Sequence, residues 1–192
     1  MRVAIVDDEE LARKLLREYL SGAEDLEVVA ECSNGFEAVK AVTELKPDLL
    51  LLDIQMPRLD GFEVLELVSR EVSVIFVTAF DKYALRAFEV HAVDYLLKPF
   101  TPDRLRQALN RARGRLGSRQ PFPTTELAAA ARAPGAYVER VAIRDGANVH
   151  VIPVSKIDYV EAQDDYVCFR SEGKGLLKQQ TLAEAERALD PA

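Results

Sequence analysis

Leu49-Leu50-Leu51-Leu52-Asp53-Ile54-Gln55-Met56-Pro57 decides the fold. Its four leucines are apolar at odd and even positions alike and are framed by Asp48 and Asp53. A strand with one wet face alternates, whereas a strand apolar on both faces belongs to a parallel sheet covered by helices on each side.

The same kind of unit recurs outward in both directions. Toward the N-terminus, Val3–Val6 reads as a buried strand, and Leu11, Leu15, Leu16 and Tyr19 recur at helical spacing. Val28–Ala30 is a second strand, and Ser33-Asn34-Gly35 opens a helix that Pro47 stops. Toward the C-terminus come a helix over Gly61–Val68, a strand over Val72–Val77, a helix over Lys82–Glu89 and a strand over Val93–Leu97. Thr101 then caps a helix with Pro102 at its first position, running to about Leu116. Five strand–helix repeats predict an α/β fold, a doubly wound five-stranded parallel sheet with its site at the carboxyl ends of the strands.

The pattern lapses over 117–136, where Pro121, Pro123 and Pro134 mark a linker. Beyond it the period changes to strands. Val141–Arg144, an Asp145-Gly146 turn and Val149–Ile152 predict a hairpin, followed by strands over Ile157–Glu161 and Tyr166–Arg170. A Glu172-Gly173 turn precedes Leu176-Leu177, and Thr181 with Glu184 forms a capping box for a last helix. The expected domains are 1–116, a linker 117–136 and a small β-rich partial domain over 137–192.

Of the 192 residues 48% are hydrophobic, enough for a sizeable core. Cys32 and Cys168 read as separate buried thiols rather than a disulfide or metal pair. Met1-Arg2 runs straight into a strand and acids without a secretion signal, and Leu49–Leu52 is far too short to cross a bilayer, so a cytoplasmic protein without membrane contact is expected. A net charge of −7 argues against a strong electrostatic grip on nucleic acid.

Four strand ends carry the chemistry. Asp7 and Asp8 follow the first strand, Asp53 the third, Thr78 ends the fourth and Lys98 follows the fifth. Taken singly, Asp8 is a helix cap, Thr78 a turn residue and Lys98 a surface cation; together they converge on one sheet edge. Carboxylates so gathered repel unless a cation joins them, and oxygen ligands of this kind suit Mg²⁺. A carboxylate held there can attack phosphorus to give an aspartyl phosphate. Thr78 then supplies a hydroxyl and Lys98 an ammonium for the phosphoryl oxygens.

Val6-Asp7-Asp8-Glu9, Leu51–Pro57, Gly61, Thr78-Ala79 and Lys98-Pro99 resemble the receiver domain of bacterial two-component response regulators, a flavodoxin-like fold, over residues 1–116. The resemblance implies Asp53 as phosphoacceptor, fed by a cognate sensor histidine kinase and only slowly dephosphorylating itself, so not a multiple-turnover enzyme. It implies Mg²⁺ held by Asp8, Asp53 and the Gln55 backbone carbonyl, with Asp7 acting through water. Lys98 pairs with the phosphoryl oxygens, Thr78 swings in to bond them, Tyr95 is the switch aromatic, and Lys98-Pro99 is cis. His91 is read as packing or surface.

Thr78–Ala84, Ala92–Phe100, Ile157–Ala162 and Asp165–Val167 are similar to receivers joined to a LytTR-type DNA-binding domain, of which 137–192 would be the N-terminal part of a truncated copy. From Ala136 onward, acids outnumber basic residues by ten to seven, a poor balance for a phosphate binder. The loop Gln163–Asp165 resembles a DNA-facing loop, but a solvated acidic turn is the favoured reading. Arg104, Arg106, Arg111, Arg113, Arg115 and Arg119 cluster on and after the fifth helix. A solvated helix face is the default reading and a basic patch for DNA another, and the resemblance places a homodimer face of helix four, strand five and helix five there. Two rivals remain: a protein-contact adaptor without DNA binding in this chain, and a phosphatase of the haloacid dehalogenase type. The latter wants a second acid two residues after the nucleophile, where this chain has Gln55.

Overall fold

The computed structural model describes residues 1–68, 72–80, 92–116, 137–146 and 148–189. The helix expected over Lys82–Glu89, His91, the linker and Arg119 lie outside these residues. The chain divides into two units, Met1–Ala131 and Arg132–Ala192.

In the first unit β1 (Arg2–Val6), β2 (Glu27–Cys32), β3 (Leu49–Leu52), β4 (Ser73–Thr78) and β5 (Asp94–Leu97) form one parallel sheet in the order β2-β1-β3-β4-β5. All residues of β3 and β4 are buried, as the leucine run requires. Helices α1 (Glu10–Leu20), α2 (Gly35–Leu45), α3 (Gly61–Leu67) and α4 (Pro102–Leu116) flank it. The expected doubly wound, flavodoxin-like receiver fold is the one observed.

Local chemistry sets the helix starts. Asn34 accepts from the Glu37 amide, and Asp60 and Glu63 make a reciprocal capping box on α3. Thr101 Oγ1 accepts from the Arg104 amide at 3.2 Å, with Pro102 at the first position of α4. α1 departs from expectation: Leu16 and Leu20 are buried, whereas Leu11 is 80% exposed and Leu15 is exposed beside it. Leu11 and Leu15 form one i, i+4 row and Leu16 and Leu20 the next; only the second faces the sheet.

Register carries the strand ends to a common edge. Val6 lies opposite Leu52, Leu52 opposite Phe76, and Thr78 opposite Leu97. The ladder continues one residue further, with Asp7 N–H to the Cys32 carbonyl at 3.1 Å, Asp53 N–H to Val6 at 2.8 Å and Lys98 N–H to Thr78 at 2.8 Å.

The second unit has an antiparallel hairpin of β6 (Arg140–Asp145) and β7 (Asn148–Pro153), then a three-stranded antiparallel sheet in the order β10-β9-β8. Its strands are β8 (Tyr159–Gln163), β9 (Tyr166–Ser171) and β10 (Lys174–Lys178), and helix α5 (Leu182–Ala188) follows with the expected Thr181–Glu184 box. Val141, Ile143, Ile152, Val167, Phe169 and Ala185 make its core. Two expectations are corrected. The first hairpin strand runs through Asp145, which pairs with Asn148, so the turn begins at Gly146, φ +60°. The strand expected from Ile157 starts at Tyr159, because Ile157 closes a short 3-10 turn by donating to the Val154 carbonyl at 3.0 Å. Gln163 ends β8, and Asp164 sits in the left-handed region at φ 51°, a two-residue turn rather than a longer loop. Both cysteines are free and buried, and no helix among the described residues is long and apolar enough to cross a membrane.

Candidate functional site

The carboxyl edge of the first unit gathers Asp7, Asp8 and Asp53, each offering a carboxylate oxygen within 4.8 Å of the others. Asp7 is fully buried, Asp53 is nearly so, and Asp8 is exposed. Lys98 Nζ reaches into the cluster, donating to Asp7 Oδ2 at 2.6 Å and Asp53 Oδ2 at 3.0 Å. Three carboxylates against one ammonium leave two negative charges uncompensated by that lysine, a deficit that a divalent cation matches.

Backbone donors order the acids. The Glu9 amide bonds Asp7 Oδ1 at 3.0 Å and the Gln55 amide bonds Asp53 Oδ1 at 3.2 Å. Burial pushes the Asp7 carboxyl up against the pull of Lys98. Burial pulls the Lys98 ammonium down, but its bonds and attraction to Asp7 and Asp53 outweigh it, so Lys98 is raised and stays charged. Thr78 is fully buried, and its hydroxyl alone among buried side-chain groups of the described residues has no hydrogen-bond partner. Such an orphan costs free energy unless a ligand or conformational change supplies an acceptor.

Asp7, Asp8, Asp53, Thr78 and Lys98 thus lie on one edge of the sheet, with the Gln55 amide bonded to Asp53. Tyr95 is half-buried on β5, and its hydroxyl donates to the Phe80 carbonyl, two residues past Thr78. The Lys98-Pro99 peptide is cis. An apolar cleft of about 380 Å³ adjoins Lys98, lined in part by Leu11, Leu15, Pro99 and Phe100.

One ion cluster escaped the sequence. Asp94, 4% exposed, takes a two-pronged bond from Arg104 (Nη1–Oδ2 2.8 Å, Nη2–Oδ1 2.7 Å) and a third from Arg111 at 2.6 Å. Burial alone would raise its carboxyl; Arg104, the Tyr95 amide and both guanidinium charges hold it below the usual range. The signal was an acid opening an otherwise apolar strand, with two arginines seven residues apart on one helix face. Among the other described arginines of α4, Arg113 pairs with Asp25 at 2.8 Å and Arg106 with Asp103 at 2.6 Å, both at the surface.

Comparison with known proteins agrees with this geometry. The family described as "Response regulator receiver domain" matches residues 3–110. Transcriptional regulatory protein BtsR of Salmonella typhi is 52% identical over 115 residues, 59% of this chain and 48% of that protein. An uncharacterized response regulatory protein of Shewanella oneidensis is 41% identical over 158 residues, 81% of this chain and 63% of its own length. The chain spans about half the length of the BtsR relatives it matches. Among solved structures, the response regulatory domain of mrkE from Klebsiella pneumoniae aligns with a TM-score of 0.57 at 30% identity, covering 62% of this chain and all of that one. The REC domain of AraT, a response regulator from Geobacillus stearothermophilus, gives 0.56 at 34% identity, covering 61% and 95%.

Proposed function

The chain belongs to the response regulator receiver domain family, and from that premise we propose that Asp53 is its phosphoacceptor and the chain a phosphorylation-dependent regulator of transcription. The observation that carries this is the convergence of three carboxylates and Lys98 beside a buried, unpartnered Thr78 hydroxyl. Asp8, Asp53 and the Gln55 carbonyl would hold Mg²⁺, with Asp7 reaching it through water; bound there, the ion neutralises charge on the phosphoryl oxygens.

In the transfer, an Asp53 carboxylate oxygen attacks phosphorus on a sensor kinase's phosphohistidine. The new O–P bond forms as the N–P bond breaks, and the electron pair leaves with the imidazole nitrogen. Lys98, already 3.0 Å from Asp53, follows the charge onto the phosphoryl oxygens. Thr78 gains the acceptor it lacks, and Tyr95, linked to Phe80, takes the displacement to the outer strand. The exposed Leu11 and Leu15 beside Lys98 offer a donor protein an apolar rim. Hydrolysis of the acyl phosphate is slow, because Gln55 stands where a phosphatase would place its acid.

Phosphorylation promotes a homodimer through the first unit, and residues 137–192, within the second unit, are the N-terminal part of a LytTR-type DNA-binding domain. Two findings support that output. The unit is β-rich, and the Shewanella match of 158 residues exceeds the 131 of the first unit, so it reaches into the second. One observation favours the adaptor reading instead, the excess of acids from Ala136 onward. DNA binding that rises with phosphodonor and falls with salt separates the two.

The test is intact-mass analysis after acetyl phosphate and Mg²⁺. One phosphoryl adduct is expected on the wild type and none on Asp53→Asn. An adduct of equal yield on Asp53→Asn would refute the assignment.

A further inference from the structure

Resting on the reading of Tyr95 as the switch residue, we propose that Arg104 is a positioning residue for that switch, acting through the Tyr95 backbone. β5 is an outer strand of its sheet. Alternate residues of such a strand turn both backbone groups away from the neighbouring strand, and those groups need partners from elsewhere. Tyr95 is one of them. Its amide donates to Asp94 Oδ1 at 2.8 Å, and its carbonyl accepts from Arg104 Nη2 at 3.0 Å. The same guanidinium grips Asp94 at 2.8 and 2.7 Å, so both backbone groups of Tyr95 hang on one ion pair anchored in α4.

The side chain of Tyr95 then bonds the Phe80 carbonyl, two residues past Thr78. Arg104, the Tyr95 peptide, the Tyr95 hydroxyl and Phe80 make a continuous tether. It holds the segment after Thr78 in the arrangement that leaves the Thr78 hydroxyl unpartnered. A phosphoryl group that draws Thr78 to itself works against the tether, and a looser tether lowers the cost of that shift.

Arg104→Lys is the informative variant. It keeps a cation beside Asp94, and Arg111 still bonds Oδ2, but an ammonium lacks the fork that spans carboxylate and carbonyl. The assay is the rate of Asp53 phosphorylation by acetyl phosphate in Mg²⁺ buffer, read by intact mass on the full chain. Arg104→Lys and Tyr95→Phe should each raise the rate about three- to tenfold, the scale of one hydrogen bond. Arg104→Lys placed in the Tyr95→Phe background should add nothing, because the tether is already cut. An equal rise in both backgrounds, or none in either, would reduce Arg104 to fold maintenance and overturn the proposal. Should the lysine variant unfold by circular dichroism, Asp94→Asn with Arg104→Met removes both charges together and must show the same dependence on Tyr95. A wild-type chain that takes no phosphoryl group would instead overturn the reading of Asp53, and this inference would fall with it.

Discussion

Replacing Gly61 with alanine tests how closely the fold and the acid cluster are joined. Gly61 opens α3, and its amide donates to the Ile54 carbonyl at 2.8 Å. A Cβ there would lie 2.4 Å from the Asp53 carbonyl oxygen and 3.0 Å from the Ile54 α-carbon. Carbon–oxygen contacts settle near ~3.3 Å, so roughly 0.9 Å must be found. Both neighbours are backbone, and no flexible side chain can yield the space. Either α3 retreats and loses the bond to Ile54, or the Asp53 peptide moves and takes its carboxylate along. Overpacking costs about 1–3 kcal/mol, and the better helix propensity of alanine returns less than ~1 kcal/mol at a first helical position. A net loss of about 1–2 kcal/mol is expected in urea denaturation followed by circular dichroism. Because a misplacement of about 1 Å can cost a hundredfold in rate, acetyl phosphate labelling of Asp53 should slow by about ten- to a hundredfold. An alanine variant equal to wild type in both measurements would show that the approach of α3 does not align Asp53.

Thr78→Val removes a buried hydroxyl that has no partner, so the melting temperature should hold or rise slightly while the response to phosphodonor weakens; a loss above ~2 kcal/mol would show that the hydroxyl is satisfied. Asp94 is held below the ordinary carboxylate value of 3.8, so its contribution is complete above that pH and is lost as pH falls through the lower folded value. The urea midpoints of wild type and Asp94→Asn should therefore differ most at neutral pH and converge below pH 3.8; a constant gap would contradict the ion cluster. Burial, aided by Glu37, pushes the Cys32 thiol up to about 12, so iodoacetamide at pH 8 should modify Cys32 only after unfolding. Rapid alkylation in the native protein, located by peptide mass spectrometry, would contradict that burial.

The strand-end residues were legible because a parallel sheet converts sequence into position. Runs apolar on both faces must be central, and the residue at the end of each run must lie at the carboxyl edge, which placed Asp7, Asp53 and Thr78; Lys98 follows from the next strand in the same parallel order. Periodicity was weaker where two apolar rows adjoin. It selected Leu11 and Leu15 along with Leu16, and only contact with the sheet decides which row is covered. Around Ile157 alternation itself misled. Ile157 and Val160 both pack on the core of the second unit although their spacing is odd, because Ile157 closes the 3-10 turn and lies outside β8, which starts at Tyr159.

Charge was the least legible quantity, since a partner is chosen in three dimensions and sequence spacing does not name it. Counted along the chain, the arginines from Arg104 onward suggest a basic face. In the fold Arg104 and Arg111 share the carboxylate of Asp94, and Arg113 and Arg106 take Asp25 and Asp103. Arg104 and Arg111 are committed to a buried carboxylate and are therefore less available to a phosphate than their place in the sequence implies, whereas the pairs of Arg106 and Arg113 lie at the surface. The buried member of that set, Asp94, adjoins Tyr95 in sequence and binds its backbone. Arg104 therefore serves the outer strand, holding the Tyr95 backbone directly through its carbonyl and indirectly through Asp94.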